Sequence, residues 1–346
     1  MNRVLFRVDF GPGVGLGHVR RCLSLATALK SWDVESVFLS NGHGAPIHAH
    51  AREFQGESLD GILSWSKDDV EVALAVARRW HCKAIAVDSH EVDGRYLGAL
   101  RRGGLLVIAR DDLAAYPFPC QMVVNGNSNA RELPYRSSSG DTRFLLGPEY
   151  AVLPPDFWEL PTRVVRDEPR NVLVTLGGGD AHGAMPQVLM LLDRVPKDFT
   201  VTAILGPFVD DLDGMKTAAA RASRRVEVVR GPASMRDFML HADLAVSAAG
   251  QTLYELARVG CPTVAARMAA NQEGQLRAFA AAGALCPGGS MEKDGDISAV
   301  PEGVARLLAN AGARVAMSAA GQRLVDGAGA RRVASAIAQQ IGGRAS

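Results

Sequence analysis

The sequence predicts an α/β protein made of two parallel-sheet domains that enclose a cleft. Three observations predict it. Short continuous apolar runs alternate with segments whose apolar residues recur at helical spacing, the pattern of strands covered by helices on both faces. The alternation occurs twice, and each time its first strand runs into glycines. Val4-Leu5-Phe6-Arg7-Val8 leads to Gly11, Gly13, Gly15 and Gly17, and Asn171-Val172-Leu173-Val174-Thr175-Leu176 leads to Gly177-Gly178-Gly179-Asp180. Between the halves, from about Leu146 to Arg170, prolines recur and charges gather, which suits a connection because proline interrupts helix and sheet alike. The expected division is a first domain over 1–150, a linker over 151–170, a second domain over 171–328 and a terminal helix over 329–346 that packs back across the boundary.

Length and composition agree with this division. The chain has 346 residues, enough for two domains of ordinary size. Lys plus Arg number 38 against 37 Asp plus Glu, so nothing global points to nucleic acid or an acidic membrane as partner. Low aromatic content argues against a base-stacking surface. The five cysteines form no CxxC pair and read as reduced thiols of a cytoplasmic protein. The first residues enter a strand without the apolar core of a signal peptide, and no apolar run is long enough for stable membrane insertion.

In the first half, strands are expected at Val34–Leu39, Ala84–Val87, Leu105–Ile108 and Met122–Val124, with helices over Asp68–Trp80 and Tyr96–Arg102. In the second half, strands are expected at Val201–Leu205, Val226–Val229, Leu244–Val246 and Pro262–Ala266. Helices are expected over Asp210–Ser223, Met235–His241, Leu253–Val259, Asn271–Ala282 and Gly329–Ile341. In such sheets ligands sit beyond the carboxyl ends of the strands.

Two turns carry the chemistry. Gly15-Leu16-Gly17-His18 opens a helix directly after the first strand. The dipole at a helix N-terminus disfavours imidazolium, which would leave His18 neutral and able to accept a proton. The plain alternative is a histidine that only caps or packs. Ser247-Ala248-Ala249-Gly250-Gln251-Thr252 places small residues and a hydroxyl at a helix start, which suits a diphosphate held by backbone amides. Glu255 falls one turn later, where a carboxylate can accept both hydroxyls of a ribose; the alternative is a helix cap and a surface glutamate. Asn271 and Gln272 offer paired amides for sugar hydroxyls or acetamido groups, with a simple N-cap as the alternative. Asp88 and Asn125 stand at strand ends, as do Asp111, Asp112 and Asn127, where they touch substrate or cap helices. His43, His48 and His50 have no carboxylate or cysteine at a convincing ligand spacing, so no metal site is read. A Gly-x-Ser-x-Gly elbow and a Walker lysine are both missing from the sequence.

Taken together, these motifs resemble one family. The segments are Arg7-Val8-Asp9, Gly15-Leu16-Gly17-His18-Val19-Arg20-Arg21-Cys22, Val87-Asp88-Ser89, Asp111-Asp112-Leu113, Val124-Asn125-Gly126-Asn127, Leu146-Gly147-Pro148-Glu149-Tyr150, Thr175 to Asp180, Ala242 to Gly250, and Asn271-Gln272. In that order they are similar to the UDP-sugar hydrolases of pseudaminic acid biosynthesis, whose wider group includes spore-coat polysaccharide proteins. The resemblance implies a GT-B-like fold of two Rossmann-like domains, with UDP held mainly by the second. It implies hydrolysis of UDP-2,4-diacetamido-2,4,6-trideoxy-beta-L-altropyranose to UDP and free sugar, with His18 as the essential histidine and no cofactor. Substrate contacts are then expected from Gly15, Gly17, Arg20, Asp88, Asn125, Gly177, Gly178, Asp180, Ser247, Gly250, Gln251, Thr252, Glu255, Asn271 and Gln272. The chain departs from the pattern at His90, where an aromatic such as tyrosine is common, and at Gly179, which replaces a usual serine. An inverting transferase and a non-catalytic nucleotide-sugar-binding subunit are the rival readings.

Overall fold

The computed structural model describes residues 2–10, 16–41, 54–59, 61–177, 183–206, 209, 211–292 and 295–342. The chain divides into two compact units. One comprises Met1–Pro155 with Gly327–Ser346, the other Asp156–Asp326.

The first unit is built on a seven-stranded sheet of β1 (Asn2–Val8), β2 (Val34–Ser40), β3 (Gln55–Ser58), β4 (Ala84–Asp88), β5 (Leu106–Arg110), β6 (Met122–Asn125) and β7 (Arg143–Leu146). Its spatial order is β3-β2-β1-β4-β5-β6-β7, and every pairing is parallel. The middles of the central strands are mostly apolar because helices cover both faces, with charged residues at or near the strand ends. Leu5, Ile85, Val107 and Val123 share one core with the apolar stripe of the helix Lys67–Arg79 and with Leu97 and Leu100 of Gly94–Arg102. The chain winds outward from β1 to β3, then returns to β4 on the other side of β1. That reversal creates a switch point between β1 and β4, where neighbouring connections leave in opposite directions and open a crevice.

The second unit repeats the plan. Its strands are β8 (Asn171–Thr175), β9 (Thr200–Leu205), β10 (Val226–Arg230), β11 (Leu244–Ala248), β12 (Thr263–Arg267) and β13 (Cys286–Ser290). They lie in the order β10-β9-β8-β11-β12-β13, again with parallel pairings. The switch point falls between β8 and β11. Val174, Val246 and Val264 form its core with Val188, Val304 and Leu307 from flanking helices.

Arginines fasten the start of this unit. Arg163 donates to the carbonyls of Met239, Leu240 and Ala242 at the end of the helix Arg236–His241. Arg258 bonds the carbonyls of Phe157 and Trp158 at 3.0 and 2.7 Å, and buried Arg314 bonds those of Arg166 and Asp167 at 2.7 and 2.9 Å. A guanidinium suits such work because its fork of donors meets several carbonyls at once.

Helix Gly329–Ile341 belongs to the first unit. It packs on the helix Gly17–Lys30, and Arg332 bonds the Glu149 carbonyl at 2.9 Å. Gly329 sits so close to Ala151 that a Cβ there would lie 2.1 Å from the Ala151 oxygen. Among the described residues no helix is long and apolar enough to cross a membrane.

The sequence reading passed over β3, β7 and β13, and all three are edge strands. An edge strand needs no apolar face on its outer side and tolerates proline, as at Pro287. It also passed over the helix Ala184–Leu192, whose Pro186 sits in the first turn, where its missing N–H costs nothing.

Candidate active site

His18 is the second residue of the helix that follows β1, and Asp88 is the last residue of β4. They therefore meet at the first switch point. His18 Nδ1 lies 2.8 Å from Asp88 Oδ1. Arg21, one turn beyond His18, donates from Nε and Nη2 to the two oxygens of Asp88. Both side chains are nearly enclosed, His18 at 11 % exposure and Asp88 at 2 %. Burial alone would raise the Asp88 carboxyl, but the Arg21 guanidinium, and after it His18, outweigh burial and hold it well below the usual carboxylate range. An ionised carboxylate cannot donate, so the proton of the short contact resides on Nδ1. Arg21 Nη2 also approaches Nδ1, at 3.0 Å, but two donors cannot bond each other, so that approach is packing. In the neutral tautomer that this contact selects, Nε2 is the acceptor nitrogen.

A second carboxylate stands beside the first. Asp112 Oδ2 is 3.5 Å from Arg21 Nη1 and 3.9 Å from His90 Nε2, and its Oδ1 accepts from Asn127 Nδ2 at 3.0 Å. Burial would raise Asp112, and the charges of Arg21 and Arg110 lower it instead. The rings of His18 and His90 meet edge to face at 5.0 Å. Burial lowers the pKa of His90, with Asp112 opposing. Burial, and then the Asp88 charge, push Cys22 well up, so it stays a thiol. Further along the same sheet end, fully buried Arg7 is paired with Asp69 at 2.8 Å and with Asp9, and Tyr96 donates to Asp69 at 2.9 Å. That cluster explains the Arg7-Val8-Asp9 motif as framework.

At the second switch point, β11 ends in Ser247 and Ala248, and the helix Thr252–Val259 begins with Gln251 as a cap that makes no side-chain bond. Within that turn the Leu253 and Tyr254 amides bond the carbonyls of Gly250 and Gln251 at 3.1 and 3.0 Å, so an anion at this helix start would be met by the amides that precede them. Ser247 is buried and donates to the Ala248 carbonyl at 3.0 Å, a framework role. Gln272 accepts from the Met268 amide at 2.8 Å, and its Nε2 stands over Gly250, 3.6 Å from where a Cβ would be. Thr252 and Glu255 are half-buried, and Asn271 is exposed in a 3-10 turn, Ala270–Gln272. Gln272 rather than Asn271 stands at the N-cap position of the helix Glu273–Ala281, and its side chain makes no cap bond there. Gly177 follows β8 with φ of 96°, a left-handed conformation that favours glycine.

The structure thus gathers His18 and Asp88 on the first unit, and Ser247, Gly250, Gln251, Thr252, Glu255 and Gln272 around one turn of the second. Asp88, expected as a substrate contact, has both oxygens engaged inside the unit. Asn125 is fully buried, with its amide spent on Tyr135 and the Asn127 backbone. Arg20 is exposed, and Arg21 is the arginine that turns inward. Gly17 is exposed with open space at its Cβ position. Gly15, Gly178, Asp180 and the histidines 43, 48 and 50 lie outside the described residues. The sequence reading missed Arg21, although a spacing of three from His18 puts both on one helix face. It also missed Arg110, which only strand register places opposite Asp88. Among the described residues no group of His, Cys, Asp and Glu side chains is arranged to hold a metal.

No protein-family model matches the chain. Its sequence relatives include an uncharacterized protein of Methanocaldococcus jannaschii, 24% identical over 276 residues, or 76% of this chain and 55% of that protein. Bacillus subtilis SpsG, a spore coat polysaccharide biosynthesis protein, is 28% identical over 190 residues, 54% of this chain and 56% of SpsG. A Helicobacter pylori protein named pseudaminic acid cytidylyltransferase and UDP-2,4-diacetamido-2,4,6-trideoxy-beta-L-altropyranose hydrolase is 25% identical over 272 residues, 78% of this chain and 45% of that protein. The chain is a relative of this group. It spans about half the length of the relatives it matches.

Among solved structures, Acinetobacter baumannii MurG superposes with a TM-score of 0.68 at 16% identity, covering 97% of this chain and 99% of MurG. S. aureus MnaA with UDP gives 0.68 at 12% identity, covering 99% and 97%. The spinosyn rhamnosyltransferase SpnG with thymidine diphosphate gives 0.66 at 15% identity, covering 99% and 100%. At such identities the likeness establishes the fold, which is the GT-B arrangement of two Rossmann-like units.

Proposed function

We propose that this chain hydrolyses a UDP-activated diacetamido-trideoxyhexose, the altropyranose named for its Helicobacter pylori relative, to UDP and free sugar with inversion. The observation that carries the reading is the His18–Asp88 contact, which leaves an imidazole nitrogen as acceptor at a sheet switch point. Water attacks the anomeric carbon. Its proton passes to His18 Nε2, and Asp88 balances the imidazolium that forms. The bond from the anomeric carbon to the diphosphate oxygen breaks, and its electron pair stays on the departing UDP. On the second unit, the amides around Gly250, Gln251 and Thr252 bind the diphosphate, and Gly177, Gly178 and Asp180 are assigned to the substrate from the sequence alone. Glu255 takes the ribose, and Asn271 and Gln272 take the acetamido groups.

A second reading is an inverting transferase, favoured by the glycosyltransferase named among the fold neighbours. A sugar hydroxyl would then replace water at the same base. The experiment is release of UDP from a panel of UDP-diacetamido-sugars by the pure protein without acceptor, comparing wild type with His18→Ala. Hydrolysis predicts acceptor-independent release that the variant loses while binding UDP normally. Release that appears only with an acceptor supports the transferase, and equal release by the variant removes His18 from the chemistry.

A further inference from the structure

Arg110 is the last residue of β5, in register with Asp88 on β4. Its side chain is 10% exposed, and its Nε lies 3.8 Å from Asp88 Oδ2. Neither Nε nor Nη1 has a hydrogen-bond partner among the described residues. Buried donors of a charged group are seldom left so, because the lost hydration is not replaced. Arg110 is among the residues that line a cavity of about 20 Å³. Its polar wall is Arg21, Cys22, Asp88 and Arg110, and the rest is apolar, including Phe6 and Val152. That volume holds one water, and a buried water needs at least two polar partners. The lining groups with a donor and an acceptor to offer it are Arg110 and Asp88.

Charge makes the same point. Asp88 and Asp112 supply two negative charges, and Arg21 and Arg110 supply two positive ones. The cluster is neutral when His18 and His90 are neutral. Facing it are His18, Arg21 and Cys22 from the helix Gly17–Lys30, Asp112 from the loop after β5, and His90 from the loop after β4.

We propose that Arg110 is a positioning residue for His18, acting through Asp88 and through one ordered water in the adjoining cavity. This rests on the reading of His18 as the base. Arg21 grips Asp88 directly and fixes its geometry. Arg110 supplies the second positive charge, without which the cluster is net negative and draws a proton onto His18.

The test uses Arg110→Met, the neutral but hydrogen-bonding Arg110→Gln, and Arg110→Lys in the full chain. The pH profile of UDP release is read beside ¹⁵N NMR of the His18 ring without substrate. The neutral variants move the acid limb of kcat and the His18 ring titration to higher pH by about one to two units, as loss of a charge roughly 6–12 Å away does at an effective dielectric constant near 20. KM stays within about twofold, because Arg110 acts through Asp88 and Arg110→Lys restores the profile. Folded Met or Gln variants with wild-type profile and ring titration overturn the proposal. If the wild type releases no UDP from any sugar, the functional reading fails, and the ring titration alone still decides Arg110. A crystal structure at high resolution shows the bridging water; a dry cavity removes that half of the proposal.

Discussion

Asp88 carries two obligations, aligning His18 and balancing Arg21, and one substitution separates them from mere packing. Asp88→Asn preserves the shape but removes the charge, and its amide can present a donor where His18 Nδ1 needs an acceptor. The kcat of UDP release falls by about 100-fold or more, the scale of a positioned general base, with KM little changed. Stability changes too. The folded-state pKa of Asp88 is depressed, so its stabilisation is present above the unfolded carboxyl value of about 4 and is lost as pH falls through and below it. Urea midpoints across acid pH therefore fall less steeply in the variant than in the wild type. At neutral pH the variant is less stable by about 3–5 kcal/mol, because Arg21 is left buried beside a neutral group. A variant with wild-type kcat or an unchanged acid slope removes this role. Part of the candidate site was legible at this scale: the glycine turn and the helix start pointed to His18, which the structure places against Asp88. The choice between Arg20 and Arg21 was not carried by the motif, because adjacent helix residues point about 100° apart. The engagement of Asp88 was not legible either, since it depends on a contact across 70 residues.

Each turn proposed to meet the substrate follows an interior strand of its sheet, and the sequence shows such strands as continuous apolar runs ending in small residues or glycine. Edge strands were hidden because their composition answers to solvent and twist rather than to a core. The pairing order, and with it the two switch points, was equally hidden, since periodicity reports burial and not neighbours. Glycine substitutions distinguish what these turns do. At Gly250 a Cβ would meet only the end of Gln272, at 3.6 Å, so Gly250→Ala leaves the folded state within about 0.5 kcal/mol of wild type. If diphosphate approaches this backbone, the same methyl weakens UDP binding about tenfold or more, measured by calorimetry. Wild-type affinity in Gly250→Ala takes the diphosphate off this turn. Gly329→Ala is the contrasting case: its Cβ would collide with the Ala151 backbone, and stability falls by about 1–3 kcal/mol or more through overpacking. A thermal midpoint unchanged in Gly329→Ala shows that the terminal helix yields without cost.

The whole chain is two units of one plan, and its last helix does not belong to the unit that precedes it in sequence. Buried Val333, Ala334, Ile337 and Ile341 give that helix an apolar face, which packs on the helix carrying His18. Ending the chain after Asp326 uncovers that partner, while the Asp156–Asp326 unit keeps its strands, its arginine fastenings and its Ser247–Glu255 turn. Removal of residues 327–346 therefore lowers the stability of the first unit selectively. Unfolding followed by hydrogen exchange shows early loss of protection in β1 and Gly17–Lys30, with β8 and β11 still protected. UDP release falls with the first unit. UDP affinity, read as the ligand-induced gain in stability of the second unit, stays within about threefold of the full chain. Equal loss of protection in both units shows that they unfold as one cooperative body, and loss of UDP affinity with the first unit intact places the nucleotide elsewhere than the Ser247–Glu255 turn.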